Sequence, residues 1–508
     1  MLASNQKRIL RNAGMLYIRM LLAMAVGLYT SRVVLDVLGV EDFGLFHVVA
    51  GFVALLGFML GAMTAATQRY FAFDLGQNNG LNLCSLFNTS LQVHALLAVC
   101  IVLIAETLGY WFVSTQLTIP SGRLNAALTA FHYAVFAFAA SVMTVPLTAM
   151  LIANERMGLF ALMSMADISF KLVAVLLLPY LAYDKLSMYA GLLLAVAILT
   201  LSGYLLINRI SFPAVRLQRT WNPEGFRSML VFTAWNTWGN LASAMSEHGN
   251  NVLLNIFFGP AINAGRSIAN QANGTLSQFV TNVLAAVNPQ IIKLYASGRN
   301  TEMHRMVLCA ARYNFYLLLT LALPVLLNTE ALLELWLVKV PPYAPEFLKL
   351  TIVASLINSI SGPLMTSAQA TGHIRLYHTV VGGLLLLNVP ASYLFLSRGF
   401  PPEAVLIVTI TLSIITLQAR ILIISPLINL PIGKFSSGVL ARVFLVSAVA
   451  SASAHLLRLT AEGPLLKLLS DMALAGLVSV ITVWFFGLDK PERHRIISFL
   501  KSLKARNP

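Results

Sequence analysis

Apolar runs of about 20 residues recur from the first tens of residues nearly to the C-terminus, and a helix of that length crosses about 30 Å of hydrocarbon. Only short polar stretches separate these runs, which leaves no room for a large domain outside the membrane. The pattern predicts an all-α, polytopic membrane protein of fourteen transmembrane helices. They lie at 13–37, 42–66, 86–112, 125–153, 160–182, 186–208, 228–258, 261–291, 304–327, 347–370, 374–397, 402–424, 438–458 and 466–487.

Basic residues sort by the side of the membrane on which the short loops fall. One set of alternate loops holds most Lys and Arg, including the cluster at 209–227 and the tail at 488–508. Because positive charge is retained on the cytoplasmic side, both termini are predicted to be cytoplasmic, which requires an even number of helices. The opposite loops hold only Arg123, Lys185, Lys339, Arg398, Arg458 and Lys467.

Composition agrees, with 58% hydrophobic residues, 10% charged residues and a mean hydropathy of +0.78, values that exclude a soluble domain. The net charge of +15 does not indicate nucleic acid, because the basic residues form no single patch with interleaved aromatics. Cys84, Cys100 and Cys309 have no CxxC spacing, so neither a disulfide framework nor a metal site is predicted. No phosphate loop or hydrolase motif is present, so we predict no cofactor and no enzyme activity.

Weak internal repetition suggests a duplicated chain. The segment PLTAMLIANERM from 146 matches PLMTSAQATGHI from 363, Gly39 matches Gly259, and Gly76 matches Gly298, at offsets near 220 residues. Duplicated halves are common in transporters. The predicted organisation is an N-lobe at 1–208, a cytoplasmic basic linker at 209–227, a C-lobe at 228–437, two extra helices at 438–487 and a basic cytoplasmic tail at 488–508.

The seventh and eighth predicted helices each carry a polar stripe within an arc of about 100° or less. A stripe that includes ionised groups is costly against lipid, at about 2.5–3.5 kcal/mol for each charge, so both stripes are predicted to line a water-filled cavity. Interhelical hydrogen bonding is the alternative for the amides and hydroxyls. The stripes comprise Asn236, Asn240, Ser243, Glu247, Asn250 and Asn251 on one helix, and Asn263, Arg266, Asn270, Asn273, Ser277 and Thr281 on the other.

Arg266 and Glu247 are the charged members of these stripes, and their depths allow them to pair across the two helices. Either they are a structural pair, or Arg266 binds substrate and Glu247 titrates as the coupling group. On the first helix, Arg32 is the better cavity candidate, because Asp36 follows one turn later, whereas Arg19 is near enough to the cytoplasmic end to reach the surface.

The run TSRVVLDVLGVEDFGLFHVVAGFVALLGFMLGAMTAATQRYFA carries a V-L-G-x-x-x-F-G turn at Val37, Leu38, Gly39, Phe43 and Gly44. With the two polar stripes behind it, this run resembles the polysaccharide-flippase branch, the Wzx-like O-antigen and exopolysaccharide flippases, of the multidrug/oligosaccharidyl-lipid/polysaccharide (MOP) exporter superfamily. The resemblance covers nearly the whole chain. It implies a V-shaped, MATE-like pair of lobes that alternately opens to each side of the bacterial inner (plasma) membrane.

The implied cargo is an undecaprenyl-pyrophosphate-linked oligosaccharide, moved to the outer leaflet for cell-surface polysaccharide and lipopolysaccharide synthesis. Membrane lipids, a polysaccharide polymerase and other assembly proteins are the implied partners. Arg suits the pyrophosphate and Asn suits sugar hydroxyls. We therefore predict substrate binding by Arg32, Arg266, Asn240, Asn263, Asn270 and Asn273, coupling through Glu247, and neither catalytic residues nor metal ligands.

Two other functions stay open. A cation-coupled multidrug exporter of the same superfamily is favoured by Glu247, Trp235 and Trp238, and opposed by Arg32 and Arg266. An integral-membrane glycan polymerase would need a long outer loop with catalytic residues, and the longest one predicted, at about 328–346, is short.

Overall fold

The computed structural model describes residues 2–494 and 497–498, apart from 55, 78–79, 116–118, 120–121, 219–221, 338–339 and 458–463. Within the helices, some side chains are also outside the description, among them those of 2–13 and 260–261. Of the predicted site residues, the side chains of Arg32 and Asn263 fall in this group. The tail segment 493–506, whose pattern predicts an amphipathic helix on the inner membrane surface, falls largely on residues that are not described.

The described chain is helical throughout, with 89% of residues in helices and no strand. In the first half, the helices are α1 Leu2–Ala54, α2 Gly57–Gln77, α3 Leu83–Thr115, α4 Leu124–Ala153, α5 Met157–Tyr180, α6 Lys185–Ser211, α7 Pro223–Phe258 and α8 Pro260–Ala296. They are followed by α9 Asn300–Leu327, α10 Thr329–Trp336, α11 Ala344–Thr371, α12 Arg375–Ser397, α13 Ala404–Ile428, α14 Ile432–Leu456 and α15 Leu465–Gly487.

Every predicted transmembrane segment overlaps one of these helices, which confirms the all-α membrane architecture. Ten helices in the described part are long and apolar enough to cross a membrane, so this is a multi-pass membrane protein. The total of fourteen crossings stays a prediction, because α1, α2, α7 and α8 fall outside that group of ten. The polar residues along α7 and α8 lower their mean hydropathy, which is what the two stripes require.

Several predicted boundaries were wrong. Helix α1 includes the first predicted helix, a non-helical residue at Gly39 (φ 74°, ψ 169°) and the first part of the second predicted helix. The rest of the second predicted helix lies in α2, which ends at Gln77 instead of 66. Helix α7 begins at Pro223, inside the predicted linker, and α14 begins at Ile432, before the predicted end of the C-lobe. Hydropathy marks only the apolar centre of a helix, and polar end turns extend past it.

The chain divides into two compact units, the first made of Met1–Leu241 with Ala285–Gly298 and the second of Ala242–Leu284 with Arg299–Pro508. The division falls within α7 and α8, not in the predicted linker at 209–227. Contacts inside the first unit explain why it includes one end of each of these helices: Asn240 Nδ2 of α7 donates to the carbonyl of Phe58, 3.1 Å away, and Lys293 of α8 lies 2.7 Å from Glu155 Oε1.

Backbone conformation repeats along the chain more clearly than the sequence does. Left-handed residues with φ between 60° and 87° recur 217 to 221 residues apart at matching turns between helices. The proposed match of Gly76 with Gly298 was wrong, because Gly76 lies inside α2 and Gly80 is the left-handed residue at that turn. The matched positions are Gly39 and Gly259, Gly80 and Gly298, Gly122 and Tyr343, and Glu155 and Gly372.

Gly76 instead permits a close approach of two helices in the first unit. A Cβ added at Gly76 would lie 2.5 Å from the carbonyl oxygen of Lys293 and 2.8 Å from its Cα. Backbone atoms cannot move aside as a flexible side chain can, so any side chain at this position forces α2 and α8 apart.

We expect Gly76→Ala to lower the free energy of unfolding by about 1–3 kcal/mol, because it overpacks a backbone contact. Gly383→Ala is the matched control, since Gly383 also lies within a helix and has open space around its Cβ position. The control should be neutral or gain up to about 1 kcal/mol from helix propensity. Thermal unfolding of both purified variants in detergent measures the difference, and equal stability of the two would refute the close contact.

Arg123 ties together three helix ends in the first unit. Its guanidinium pairs with Asp42, in the part of α1 beyond the kink, and Nη1 lies 2.5 Å from Asp184 Oδ2. Asp184 also caps α6 by accepting the backbone N–H of Ser187 at 2.9 Å. Partial burial disfavours the Asp184 carboxylate, but the hydrogen bonds from Ser187 and Arg123 outweigh burial and hold its pKa below the ordinary value.

Candidate functional site

The polar stripe predicted on α7 divides into buried and exposed residues. Asn236 and Asn250 are buried, whereas Ser243 and Glu247 are exposed. Asn236 Nδ2 donates to the carbonyl of Phe232, one turn earlier on the same helix. The stripe is therefore not one uniform cavity wall, and its ionisable member, Glu247, is on the exposed part.

Asn250 belongs to a hydrogen-bonded cluster that joins three helices of the second unit. Thr409 on α13 lies 3.4 Å from Asn250 and 3.1 Å from Asn388 on α12, and Asn388 also donates to Ser246 on α7 at 2.9 Å. Such interhelical bonds between polar side chains hold helices together in a membrane. In this part of the stripe, the contacts are therefore those of interhelical hydrogen bonding and not those of a cavity lining.

Asn240 makes a close contact in the first unit. Besides its hydrogen bond to Phe58, its Nδ2 would lie 3.3 Å from a Cβ added at Gly61. Its side chain is half-buried, and one amide hydrogen is engaged by the backbone carbonyl of Phe58. Its amide oxygen keeps its capacity to accept, and substrate binding by Asn240 stays a proposal.

Arg266 is buried in the second unit, with 6% of its surface exposed. Its Nη1 donates to Thr351 Oγ1 on α11 at 2.5 Å, and its Nε is buried without a hydrogen-bond partner among the described residues. Gly265 beside it packs α8 so closely that an added Cβ would lie 2.3 Å from the carbonyl oxygen of Pro342. The guanidinium is thus held against protein and lines neither of the two cavities described below.

Glu247 is the acidic group that acts electrostatically on Arg266. Within the described part of the chain, however, no carboxylate oxygen lies within 4 Å of the Arg266 nitrogens. The two residues attract each other through space without forming a contact ion pair.

Asn270 and Asn273, two other predicted site residues of α8, are less buried than Arg266. Both are half-buried, and the amide oxygen of Asn273 is buried with no hydrogen-bond partner in the described chain. Such an acceptor is costly to leave unsatisfied, so a donor from water or substrate would stabilise it. Arg32 and Asn263 stay predictions, because their side chains lie outside the described part.

The sequence reasoning missed a polar cavity within the first unit. It has a volume of about 300 Å³ and lies among α2, α4, α5 and α6. The hydroxyls of Ser141, Thr144 and Thr148 recur on α4 at spacings of three and four, a pattern that marks one helix face and was available in the sequence. Further polar side chains complete the lining: Thr64, Ser164, Asp167, Lys171, Thr200 and Tyr204.

An ion pair lies at the wall of this cavity. Asp167 Oδ2 lies 2.8 Å from Lys171 Nζ, as the i,i+4 spacing predicts, and Thr200 Oγ1 of α6 donates to Asp167 Oδ1 at 3.0 Å. Arg19 approaches the same region, with Nη1 3.4 Å from Ser164 Oγ and its guanidinium 5.4 Å from the centre of the Phe160 ring. Arg19 thus contacts α5 within the first unit.

The side chains of these candidate sites include cations, hydroxyls and amides. In the described residues, no three His, Cys, Asp or Glu side chains lie together in a way that would hold a metal ion. The chemistry at hand is hydrogen bonding and charge recognition, which suits binding of a polar or ionic molecule.

No protein-family model matches the sequence, and no curated protein matches it in a sequence comparison. Solved structures do share its fold. A MATE in complex with MaD3S aligns with a TM-score of 0.71 at 15% identity, over 83% of this chain and 97% of that chain. An outward-facing multidrug resistance MATE family transporter of the MOP superfamily gives 0.70 at 15% identity, over 84% and 96%.

A MOP superfamily transporter from Pyrococcus furiosus Vc1 aligns with a TM-score of 0.67 at 14% identity, over 83% of this chain and 96% of that chain. It is described as having a binding pocket of reverse polarity that suggests a different function. These identities are too low to carry function, but the fold of this chain is that of the MATE transporters of the MOP superfamily.

Proposed function

We propose that this chain is a flippase that moves an undecaprenyl-pyrophosphate-linked oligosaccharide across the bacterial inner membrane by alternating access. The fold it shares with MATE transporters of the MOP superfamily supports a transporter without enzymatic activity. The main support for an anionic substrate is the environment of Arg266. Its guanidinium is buried, and no carboxylate lies within 4 Å of it in the described chain.

A buried cation without a contact counterion is costly in a membrane protein, and such residues commonly mark substrate pathways. Arg offers a planar set of donors that matches phosphate oxygens, and the Nε of Arg266 has no acceptor in the part of the chain that the structure describes. A pyrophosphate that reached this side chain when α8 and α11 moved would supply the missing acceptor. Arg32 is proposed to contribute a second cation.

The sugar part of the substrate calls for many neutral donors and acceptors. Asn240, Asn263, Asn270 and Asn273 are the proposed contacts, and the amide oxygen of Asn273 lacks a partner in the described structure. Within the first unit, the hydroxyl-lined cavity offers groups of the same chemistry. Each of these groups donates and accepts, which suits carbohydrate hydroxyls better than apolar drugs.

Coupling is proposed to use Glu247, whose exposed carboxylate acts on Arg266 without contacting it. Protonation of Glu247 would remove that attraction and change the electrostatic environment of the substrate cation. Both termini are proposed to be cytoplasmic, and a polysaccharide polymerase and other assembly proteins are the proposed partners. No catalytic residue, metal or cofactor is part of this scheme.

The test exchanges the two charges. If Arg266 and Glu247 only stabilise the fold, the double variant Arg266→Glu/Glu247→Arg should restore the export that each single variant loses. If Arg266 binds pyrophosphate, the double variant should stay inactive although folded, because the cation then lies on another helix. Arg266→Lys should keep part of the activity as a point charge without the fork.

Export is measured as surface glycan recovered in cells that depend on the protein, with membrane protein level as the control for folding. Glu247→Gln tests coupling separately. Recovery of surface glycan by the double variant would overturn the substrate role of Arg266, and full activity with an unchanged pH dependence in Glu247→Gln would remove Glu247 from the mechanism.

A cation-coupled multidrug exporter is the second candidate, and Asp167 is the observation that favours it. An acidic side chain in a polar cavity suits a coupling ion or a cationic drug, and one of the structural neighbours is a multidrug resistance transporter. Drug accumulation in cells separates the two: a multidrug exporter should lower the accumulation of cationic dyes, whereas the flippase should leave it unchanged and restore surface glycan.

A further inference from the structure

A second cavity, distinct from the polar cavity of the first unit, lies in the second unit where α9 and α14 meet the segment that follows α15. Its volume is about 320 Å³, within the range of roughly 300–1,000 Å³ that small-ligand sites occupy. Four cationic and two acidic side chains line it: Arg305, Arg312, Lys434, Arg442, Asp489 and Glu492.

The acidic side chains are already engaged by two of the cations. Arg312 Nη2 lies 2.7 Å from Glu492 Oε1, and this pair is buried, with 6% and 7% of the two side chains exposed. Asp489 Oδ1 accepts from Arg442 Nη1 at 2.7 Å, and its Oδ2 lies 3.6 Å from Arg312 Nη1. These contacts form a neutral floor for the cavity.

The remaining two cations, Arg305 and Lys434, are exposed at its wall. Neither forms an ion pair within 4 Å with any residue in the described ranges. Counting Arg, Lys, Asp and Glu, the lining therefore has a net charge of +2. His304 is held at the wall by its Nε2, which lies 2.7 Å from the carbonyl oxygen of Ile428.

The cavity lies where membrane-spanning helices end. Lys434 is in the first turn of α14, Arg305 is in the second turn of α9, and Asp489 follows the end of α15 at Gly487. Helices that cross the hydrocarbon have their ends at the level of the lipid headgroups. Ile432 and Phe486, near these ends, are exposed apolar side chains.

We propose that this cavity binds the phosphate group of an anionic phospholipid, with Arg305 and Lys434 as the recognising cations. Charge-assisted bonds from Arg and Lys favour phosphate oxygens, and basic pockets between the ends of membrane helices bind anionic headgroups. The adjacent exposed apolar surface suits acyl chains and favours a lipid over free phosphate. The site is separate from Arg266 and Glu247 and does not depend on the proposed cargo.

The experiment measures phosphatidylglycerol binding to the purified, full-length protein in detergent by native mass spectrometry. The variant Arg305→Gln/Lys434→Gln should bind about 30-fold more weakly than the wild type, and each single variant about fivefold more weakly. The single variants keep the test valid if the double variant does not fold. The matched control is Arg209→Gln/Arg216→Gln, which removes two exposed cations elsewhere and should bind like the wild type.

Two further ligands test whether the site requires a net negative charge and whether its phosphate group comes from a lipid. Phosphatidylcholine should bind the wild type and the double variant equally and weakly, because it carries no net charge. Inorganic phosphate should not displace phosphatidylglycerol at equal concentration. Equal binding of phosphatidylglycerol by the wild type and the double variant would refute the site, and displacement by inorganic phosphate would make free phosphate the occupant instead of a lipid.

Discussion

Replacing Arg312 by Met is expected to lower the free energy of unfolding by about 3–5 kcal/mol, the cost of leaving a buried charge without its partner. Glu492 is 7% exposed in its side chain, and it would lose its bond of 2.7 Å to Arg312. It would keep neutral donors such as the backbone N–H of Asp489, at 2.9 Å, and the thiol of Cys309, at 3.3 Å. Neither group carries the positive charge that a buried carboxylate needs.

The double variant Arg312→Met/Glu492→Gln should recover most of this loss, because it removes both charges and keeps hydrogen bonding at residue 492. Thermal and denaturant unfolding of wild type, both single variants and the double variant in one detergent give the coupling energy between the two side chains. Arg398→Met is the surface control and should change stability little. A double variant as unstable as Arg312→Met would contradict the ion pair as the origin of the loss.

Asp167→Asn is expected to lower transport by about 10- to 100-fold, the rate equivalent of one charge-assisted hydrogen bond of about 1.5–3 kcal/mol. Asp167 fixes Lys171 at the wall of the polar cavity and accepts from Thr200 on α6. Without the carboxylate, Lys171 is no longer held in place at the cavity wall, where it could contact the anionic substrate that we propose. The measurement is surface glycan in dependent cells, normalised to the protein in the membrane.

The exchange Asp167→Lys/Lys171→Asp separates a functional position from a structural pair. It keeps the i,i+4 ion pair on α5 but moves the carboxylate one turn away from Thr200. We expect the exchanged protein to be folded and still poorly active. The pair of Lys349 and Glu330, at 2.5 Å and largely exposed, supplies the control: exchanging these two residues should leave transport unchanged. Wild-type transport by the Asp167/Lys171 exchange would reduce the pair to a structural role.

The two polar stripes show what helical periodicity predicts about side chains and what it does not. The angular grouping of Asn236, Glu247 and Asn250 on one arc of α7 follows from spacing alone. Spacing does not predict which residues of that arc contact other helices, because this depends on how the neighbouring helices pack against α7. Thr409 accepts a hydrogen bond from Asn250, and Asn388 donates to Thr409 and to Ser246, whereas Glu247 is exposed in the described structure. These partners lie more than 130 residues away along the chain, so the sequence of α7 does not contain them.

Arg266 illustrates the same limit for charges. Its place in the eighth-helix stripe and its lack of an acidic neighbour on its own helix were evident from the sequence, and they led to Glu247 as the nearest possible partner. The structure instead brings Thr351 of α11 to 2.5 Å from its guanidinium. A hydroxyl in an apolar helix gives no signal of its own before the helix packing is known.

By itself, the sequence determined that this protein folds in a membrane, that it is helical, and the approximate positions of the ten described helices that are long and apolar enough to cross it. Those properties follow from local hydrophobicity, because an apolar run of sufficient length has few alternatives to a helix in lipid. Only the tertiary structure decided the division into units within α7 and α8, the polar cavity around Asp167 and the basic cavity beside Arg305. Each of these depends on side chains from several helices meeting in space, and packing between distant segments sets that meeting.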